Sequence, residues 1–345
     1  MKMFKSFTIL TILSILSAKS YSQQKMSVFL SNHTFSSGRT EVGTLHTNYN
    51  EKLDFKIRGK DAKKFTIKDN KLSIITQFIK PEVKWYDLDI RARVGSSKIT
   101  QSFRIVNDQF HRNKVIAHRG AFKNTGASEN SIAALQHAIK MGCQGSEFDV
   151  HMSADSVLVV NHDPSIQGIT IATSPAAQLG NLRLSGGENM PTLEAFLKAG
   201  LNQNTTKLVL EIKPTTNKTR ALQLAKKTVE MVKDLKAQAW IDYISFDYNI
   251  CLEIKRLDPY ARVAYLNGDK SPLVLAADKL WGFDYHFSVF QKNEHWILEA
   301  KQAGLTINAW TVNDEALMKW FLDRKVDFVT TNEPELLLKL VGNRP

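Results

Sequence analysis

The sequence predicts an α/β chain, a (β/α)8 barrel preceded by a small all-β sandwich. Three observations carry the prediction. From Lys114 onward, short apolar runs alternate with helical patterns, the rhythm of a parallel barrel. Between Gln23 and Phe110 the hydrophobic period is instead two, with polar turns between the runs. Finally, 345 residues exceed a typical single domain and suffice for a full barrel core plus a smaller module.

Met1 to Ser22 carries Lys2 and Lys5, an apolar stretch from Phe7 to Leu16, and small residues before Gln23. This reads as a cleavable secretory signal, too short in its apolar part to span a bilayer, and implies a periplasmic or secreted protein. No cysteine lies near the cleavage site, so a lipoprotein anchor has no attachment point. Residues 23–110 follow. There Phe55-Lys56-Ile57, Phe65-Thr66-Ile67, Leu72-Ser73-Ile74, Leu88 to Val94 and Ile99 to Ile105 alternate strictly, as in an antiparallel sandwich with one face buried. The order of these strands weakly resembles a cadherin-type repeat, but its calcium motifs are mostly absent and no calcium is expected there. The boundary falls near Asp108 to Asn113, and 111–345 form the barrel.

The expected barrel strands are Val115 to Ala117, Ser146 to Val150, Leu208 to Ile212, Tyr243 to Phe246, Arg262 to Leu266, Tyr285 to Val289, Thr306 to Trp310 and Phe328 to Thr331. Helical patterns cover Ser131 to Met141, Thr192 to Ala199, Thr219 to Leu235, Glu294 to Ala303 and Glu315 to Asp323. A stretch rich in Ser, Thr and Gly from about Asp163 to Pro191 interrupts the pattern after the second strand and should overhang the mouth. Ile166, Ile169, Ile171 and Leu179 supply it with apolar anchors.

The chemistry sits at strand ends. Period-2 alternation puts Glu147 and Asp149 on one face of their strand, where two carboxylates repel unless a cation joins them. Glu211 and Lys213 repeat that placement. Glu147, Asp149 and Glu211 are hard oxygen ligands, suited to Mg²⁺ or Ca²⁺ rather than zinc. His118 and Arg119 end the first strand, and His162-Asp163 lies between the carboxylate strands. Each residue has an ordinary alternative: a surface carboxylate, a satisfied core histidine, a solvated lysine, or core packing for Trp310. Convergence of the set at one barrel mouth favours metal-assisted attack on a phosphate.

His118-Arg119-Gly120, Glu129-Asn130-Ser131, Glu147-Phe148-Asp149-Val150, Val159 to Asp163, Glu211-Ile212-Lys213 and Trp310-Thr311-Val312-Asn313 occur in an order that resembles the glycerophosphodiester phosphodiesterase family, from about Lys114 to the C-terminus. One departure is Ser128, where the family usually has proline. The resemblance implies hydrolysis of a glycerophosphodiester to sn-glycerol 3-phosphate and an alcohol through a cyclic phosphate. It implies a divalent cation, Mg²⁺ or Ca²⁺, on Glu147, Asp149 and Glu211, with His118 and His162 sharing base and acid roles. Arg119, Lys213 and Trp310 would contact the substrate.

A formal charge of +12, or +9 once Lys2, Lys5 and Lys19 leave with the leader, favours anionic partners and permits proximity to a membrane surface. Without a run of five like charges or an aromatic-interleaved basic patch, nucleic acid is not indicated. Cys143 and Cys251 fall towards opposite barrel faces, so two unpaired buried thiols are expected. A barrel phospholipase acting on intact lipid or phosphoinositide, and a non-catalytic binding or adhesion module, are the alternatives. The first calls for an exposed apolar rim, which the sequence does not announce, and the second for loss of part of the His-Glu-Asp-His-Glu set, which is complete.

Overall fold

In the computed structural model, residues 26–49, 54–95 and 97–342 are described, and the leader expected over Met1 to Ser22 lies outside them. Strands β1 (Val28–Leu30), β2 (Thr34–Phe35), β3 (Glu41–Thr47), β4 (Asp54–Arg58), β5 (Phe65–Lys68), β6 (Lys71–Ile74), β7 (Trp85–Val94) and β8 (Ser97–Asn107) make two four-stranded sheets, ordered β1-β3-β6-β5 and β2-β8-β7-β4. Alternation sends Leu88, Ile90, Phe103 and Ile105 from one sheet, and Leu45, Leu72 and Ile74 from the other, into one shared core. On the opposite face of β7 and β8, Asp87 takes a bidentate hydrogen bond from Arg104 at 2.8 and 2.9 Å.

Eight parallel strands then close on themselves. They are β9 (Val115–Ala117), β10 (Gly145–Met152), β14 (Lys207–Ile212), β15 (Ile241–Ser245), β16 (Val263–Tyr265), β17 (Gly282–His286), β18 (Thr306–Trp310) and β19 (Phe328–Thr331). β9 pairs with both β19 and β10, which completes the (β/α)8 barrel. Helices α1 (Ile132–Met141), α3 (Leu193–Gly200), α4 (Lys218–Asp234), α5 (Tyr248–Leu257), α6 (Pro272–Ala277), α7 (Phe287–Lys292), α8 (His295–Gln302), α9 (Glu315–Asp323) and α10 (Pro334–Gly342) surround it. Local signals set their ends: Ser131 accepts from Ala134 N at the start of α1, and Gly142 at φ 78° closes it in the left-handed conformation.

Between barrel and helices the core is large and apolar, with Phe148 stacked on Phe196 at 4.3 Å. Inside the barrel, Ile116, Val209, Ile244, Ala264 and Leu266 form a separate apolar cluster that reaches up to the strand ends. Because Val209 and Glu211 share a face, the same strands that bury aliphatic side chains below present carboxylates above.

The sixth strand differs from expectation. Tyr285 to Val289 alternates like a strand, yet the strand is Gly282–His286 and Phe287 opens α7. Pairing with β18 decides it. Gly282 lies against Thr306 so closely that a Cβ there would be 2.1 Å from Thr306 Oγ1, and Phe283 and Tyr285 are both fully buried.

After β10 the chain turns back as β11 (Leu158–Val160), antiparallel to it, then forms the hairpin β12 (Ser165–Ile166) and β13 (Ile169–Thr170) and the short α2 (Ala176–Leu179). Val159, Ile171, Leu179 and Met190 give this insertion its own core, with Ile166 and Ile169 packed against it. Ser128, at the position usually held by proline, pins the insertion: its hydroxyl meets Ser185 Oγ at 2.9 Å and accepts from Gly186 N at 2.6 Å.

The sandwich sits under the barrel's strand-start face. Trp85 meets Trp240 edge-on at 6.0 Å, Phe110 meets the same indole at 6.4 Å, and Asn204 Nδ2 donates to Asn107 O at 2.8 Å. Cys143 and Cys251 are buried and unpaired, and burial pushes the Cys143 thiol up to about 12. No helix among the described residues is long and apolar enough to cross a membrane.

Candidate active site

The first turn after β9 explains the His-Arg-Gly string. Arg119 and Gly120 both take positive φ, 54° and 82°, and a Cβ on Gly120 would stand 2.6 Å from that of Ala134. Only glycine lets the turn lie this close to α1. The turn aims Arg119 N at Glu147 Oε2, 2.8 Å away, while Glu129 holds the guanidinium through two bonds of 2.9 and 3.1 Å to Nη1. Arg119 Nε is left buried without a hydrogen bond, 3.9 Å from Asp149 Oδ2.

Glu147, Asp149 and Glu211 are all buried, and each offers an oxygen lying within 4.8 Å of the others'. Burial, then Asp149 and Glu211, drive the Glu147 carboxyl well above its usual range, and burial followed by Asp149 raises Glu211 to about 8. Asp149 is pulled down despite its burial, by Lys213 and by the Asn130 amide. Lys213 Nζ stands 2.9 Å from Glu211 Oε1 and 3.2 Å from Asp149 Oδ1. Burial lowers this lysine, but the carboxylates beside it outweigh that and raise it. Asn130, itself at φ 57°, clamps Asp149 twice, donating to Oδ2 at 2.8 Å and accepting from its backbone N–H at 3.0 Å. The upward shifts of both glutamates mean that the three carboxyls resist ionising together without a further cation beside them, and no well-angled hydrogen bond reaches Glu211 Oε1. The oxygen-only set fits a hard divalent cation.

Both histidines are held through Nδ1. His118 Nδ1 lies 2.8 Å from Asn332 Oδ1, which only accepts, so Nδ1 carries the hydrogen and Nε2 presents a lone pair 4.0 Å from Glu147 Oε2. Burial first, then Arg119, holds His118 down at about 4, so it is neutral near pH 7. His162 Nδ1 is 2.8 Å from Asp163 Oδ1, and His151 Nε2 contacts the His162 carbonyl at 3.1 Å. Trp310 donates Nε1–H to Asp284 O at 2.8 Å and meets Phe246 and His286 edge-on at 5.4 and 5.2 Å.

His118, Arg119, Glu147, His162, Glu211 and Trp310 line one cavity of about 240 Å³ at the strand ends, with Asp149 and Lys213 bonded behind its wall. All eight residues singled out in the sequence thus meet. Sequence reasoning named Asn130 within the Glu129-Asn130-Ser131 string without giving it a role, and missed Asn332 and, in the cavity wall, Phe246 and the buried Asp284. For Asn332 a signal existed, its place one residue past the end of β19, at the face where barrel loops carry function.

A closed barrel with carboxylates, cations and histidines gathered at its strand ends has the make-up of a phosphate-ester hydrolase site, and its three buried carboxylates are placed so that they could hold a divalent ion. Residues 118–336 match the glycerophosphoryl diester phosphodiesterase family. A glycerophosphodiester phosphodiesterase of Caldanaerobacter subterraneus subsp. tengcongensis is 26% identical over 242 residues, spanning 66% of this chain and 97% of its own length. Among solved structures, a glycerophosphodiester phosphodiesterase from Parabacteroides distasonis is 43% identical with a TM-score of 0.66, covering 69% of this chain and 98% of that one. A phosphodiesterase of Oleispira antarctica, solved in complex with the product sn-glycerol-3-phosphate, is 25% identical with a TM-score of 0.58, covering 67% and 97%. The chain belongs to the glycerophosphoryl diester phosphodiesterase family and is a phosphoric diester hydrolase.

Proposed function

We propose that this enzyme hydrolyses soluble glycerophosphodiesters to sn-glycerol 3-phosphate and an alcohol, with Mg²⁺ or Ca²⁺ held by Glu147, Asp149 and Glu211. The observation that carries the reading is the meeting of three buried carboxylates, two cations and two histidines, each held through Nδ1, in and just behind the wall of one cavity. When bound, the ion supplies charge neutralisation and a lowered pKa for a coordinated hydroxyl. Arg119, with Nε free, and Lys213 neutralise charge growing on the phosphoryl oxygens. His118, kept neutral with Nε2 unprotonated, takes the proton of the attacking hydroxyl. His162, with the Asp163 carboxylate behind it, gives a proton to the departing alcohol. Trp310, fixed by Asp284 O and Phe246, supplies an apolar wall for the substrate's carbon face. A leader over residues 1–22 would deliver the enzyme to the periplasm or the exterior.

The test is release of alcohol from glycerophosphocholine, glycerophosphoethanolamine and glycerophosphoinositol, with Mg²⁺, Ca²⁺ or excess EDTA. Turnover is expected only with a divalent ion, and Glu147→Gln is expected to lose ion affinity and turnover together, because a neutral amide cannot balance the ion. Unchanged activity in EDTA would refute the metal reading. Faster turnover of lipid vesicles than of soluble diesters would favour the phospholipase alternative.

A further inference from the structure

A second cavity among the described residues is larger than the catalytic one. At the opposite end of the barrel, where strands begin, a space of about 390 Å³ opens between the barrel floor and the β1–β2 loop of the sandwich, Ser31 to Thr34. That volume lies within the range of small-molecule sites, whereas the strand-start face of such barrels ordinarily serves stability alone.

Its lining is built from charges that cancel and polar atoms left unmatched. Four cationic and four acidic side chains surround it, so the walls carry no net charge. Asp242, only 5% exposed, has Oδ1 within 3.2 Å of Lys207 Nζ and 3.7 Å of Arg262 Nη1, yet no hydrogen bond reaches that oxygen. Gln238 Oε1 and His33 Nε2 are likewise buried without a hydrogen-bond partner. Lys207 is already committed to Ala239 O at 2.7 Å, while Arg262 remains half exposed at the rim, stacked at 5.5 Å over Trp281. Burial, then the neighbouring Lys207, keeps His33 neutral. Buried polar atoms without partners cost stability unless something fills the space beside them.

We propose that this interdomain cavity is a binding site for a neutral polyhydroxylic molecule, a monosaccharide or cyclic polyol. Hydroxyl groups both donate and accept. They can give hydrogen to Asp242 Oδ1 and Gln238 Oε1 while accepting from Arg262, which an anion or a cation cannot do. The Tyr260 ring at the cavity edge offers an apolar face to the ligand's C–H side. Because the β1–β2 loop and the barrel floor both contribute walls, occupancy ties the sandwich to the barrel.

The experiment titrates D-glucose, myo-inositol and glycerol separately into the intact protein, by calorimetry and by thermal melting. At least one is expected to bind saturably and raise the melting temperature. Arg262→Leu and Gln238→Leu are each expected to weaken that binding roughly ten- to hundredfold, the effect of losing one buried hydrogen bond to a charged or polar group, with unchanged turnover of glycerophosphocholine as evidence of folding. Glu147→Gln is expected to bind the same probe normally. Failure of all three probes to bind leaves a cavity holding water only and overturns the proposal. So does binding that survives both floor variants, or binding lost in Glu147→Gln, which would locate the probe at the catalytic mouth.

Discussion

Asn130 is the most revealing residue to perturb, because it combines a strained backbone with two hydrogen bonds to a single metal-ligand candidate. At φ 57° it occupies the left-handed region, which costs most L-residues about 1–2 kcal/mol. Asn130→Gly removes that strain and the amide together, leaving the Asp149 N–H and Oδ2 without partners at a site 1% exposed. Orphaning a buried amide and a buried carboxylate costs about 1–3 kcal/mol each, so a loss of roughly 3 kcal/mol is expected, a fall of about 6–12 °C in melting temperature for a domain of this size. Asn130→Ala should lose about 1 kcal/mol more, since alanine must also hold the positive φ. Both variants should weaken divalent-ion binding by roughly ten- to hundredfold, as loss of a partner to a ligating carboxylate does. Denaturant unfolding in EDTA, followed by ion titration calorimetry, measures the two effects separately. Equal stability of the alanine and glycine variants would refute the strain argument. Ion affinity matching the parent protein in both would show that Asn130 does not orient Asp149 for an ion.

Three further outcomes are expected. His162→Ala should be most damaging with a choline diester and least with a nitrophenyl diester, whose phenol departs unprotonated, whereas His118→Ala should suffer comparably on both; rescue of His118→Ala by the nitrophenyl substrate would exchange their roles. Asp284, 2% exposed, has its carboxyl raised to about 8 by burial, against an ordinary value of 3.8; the unfolded chain ionises first, so stability falls as pH climbs from about 4 to 8, and Asp284→Asn should stabilise the protein by more at pH 9 than at pH 4, with an equal gain at both refuting the assignment. A chain beginning at Arg112 should keep turnover of soluble diesters, because the catalytic cavity lies beyond it, but should melt lower for want of the Phe110 and Trp85 contacts with Trp240; complete inactivity of the folded fragment would implicate the sandwich in catalysis.

Much of this was legible in the chain. Period-2 alternation at Glu147 and Asp149, repeated at Glu211 and Lys213, needed only strand geometry to predict a shared face, and Phe148 and Ile212 between them are buried on the other face, against the helices. Local pattern failed where a distant partner decided the outcome. Tyr285 to Val289 alternates as convincingly as a real strand, and the register with Thr306 to Trp310 moved the strand toward Gly282. Asn332 was invisible as a partner of His118 because 214 residues separate them. The floor cavity was beyond reach for the same reason, its walls coming from a sandwich loop and from the starts of barrel strands that no single stretch of sequence brings together.

The hairpin of β10 and β11 makes a separation of a different kind. Asp149 and His162 stand at the same open end of one short antiparallel ladder, on its two strands, with Val150 opposite Val160 and Asn161 N bonded to Asp149 O at 3.1 Å. The insertion from Pro164 onward leaves that ladder and packs back on it, through Val159 in its core and the bond from Ala154 N to Ser174 O at 2.9 Å, with a further mooring at Ser128. The hydrogen bonds of the ladder, rather than the insertion, set the spacing between Asp149 and the histidine across the hairpin. A short step along one ladder thus fixes a carboxylate and a histidine against each other, so that their relative position is inherited with the hairpin itself.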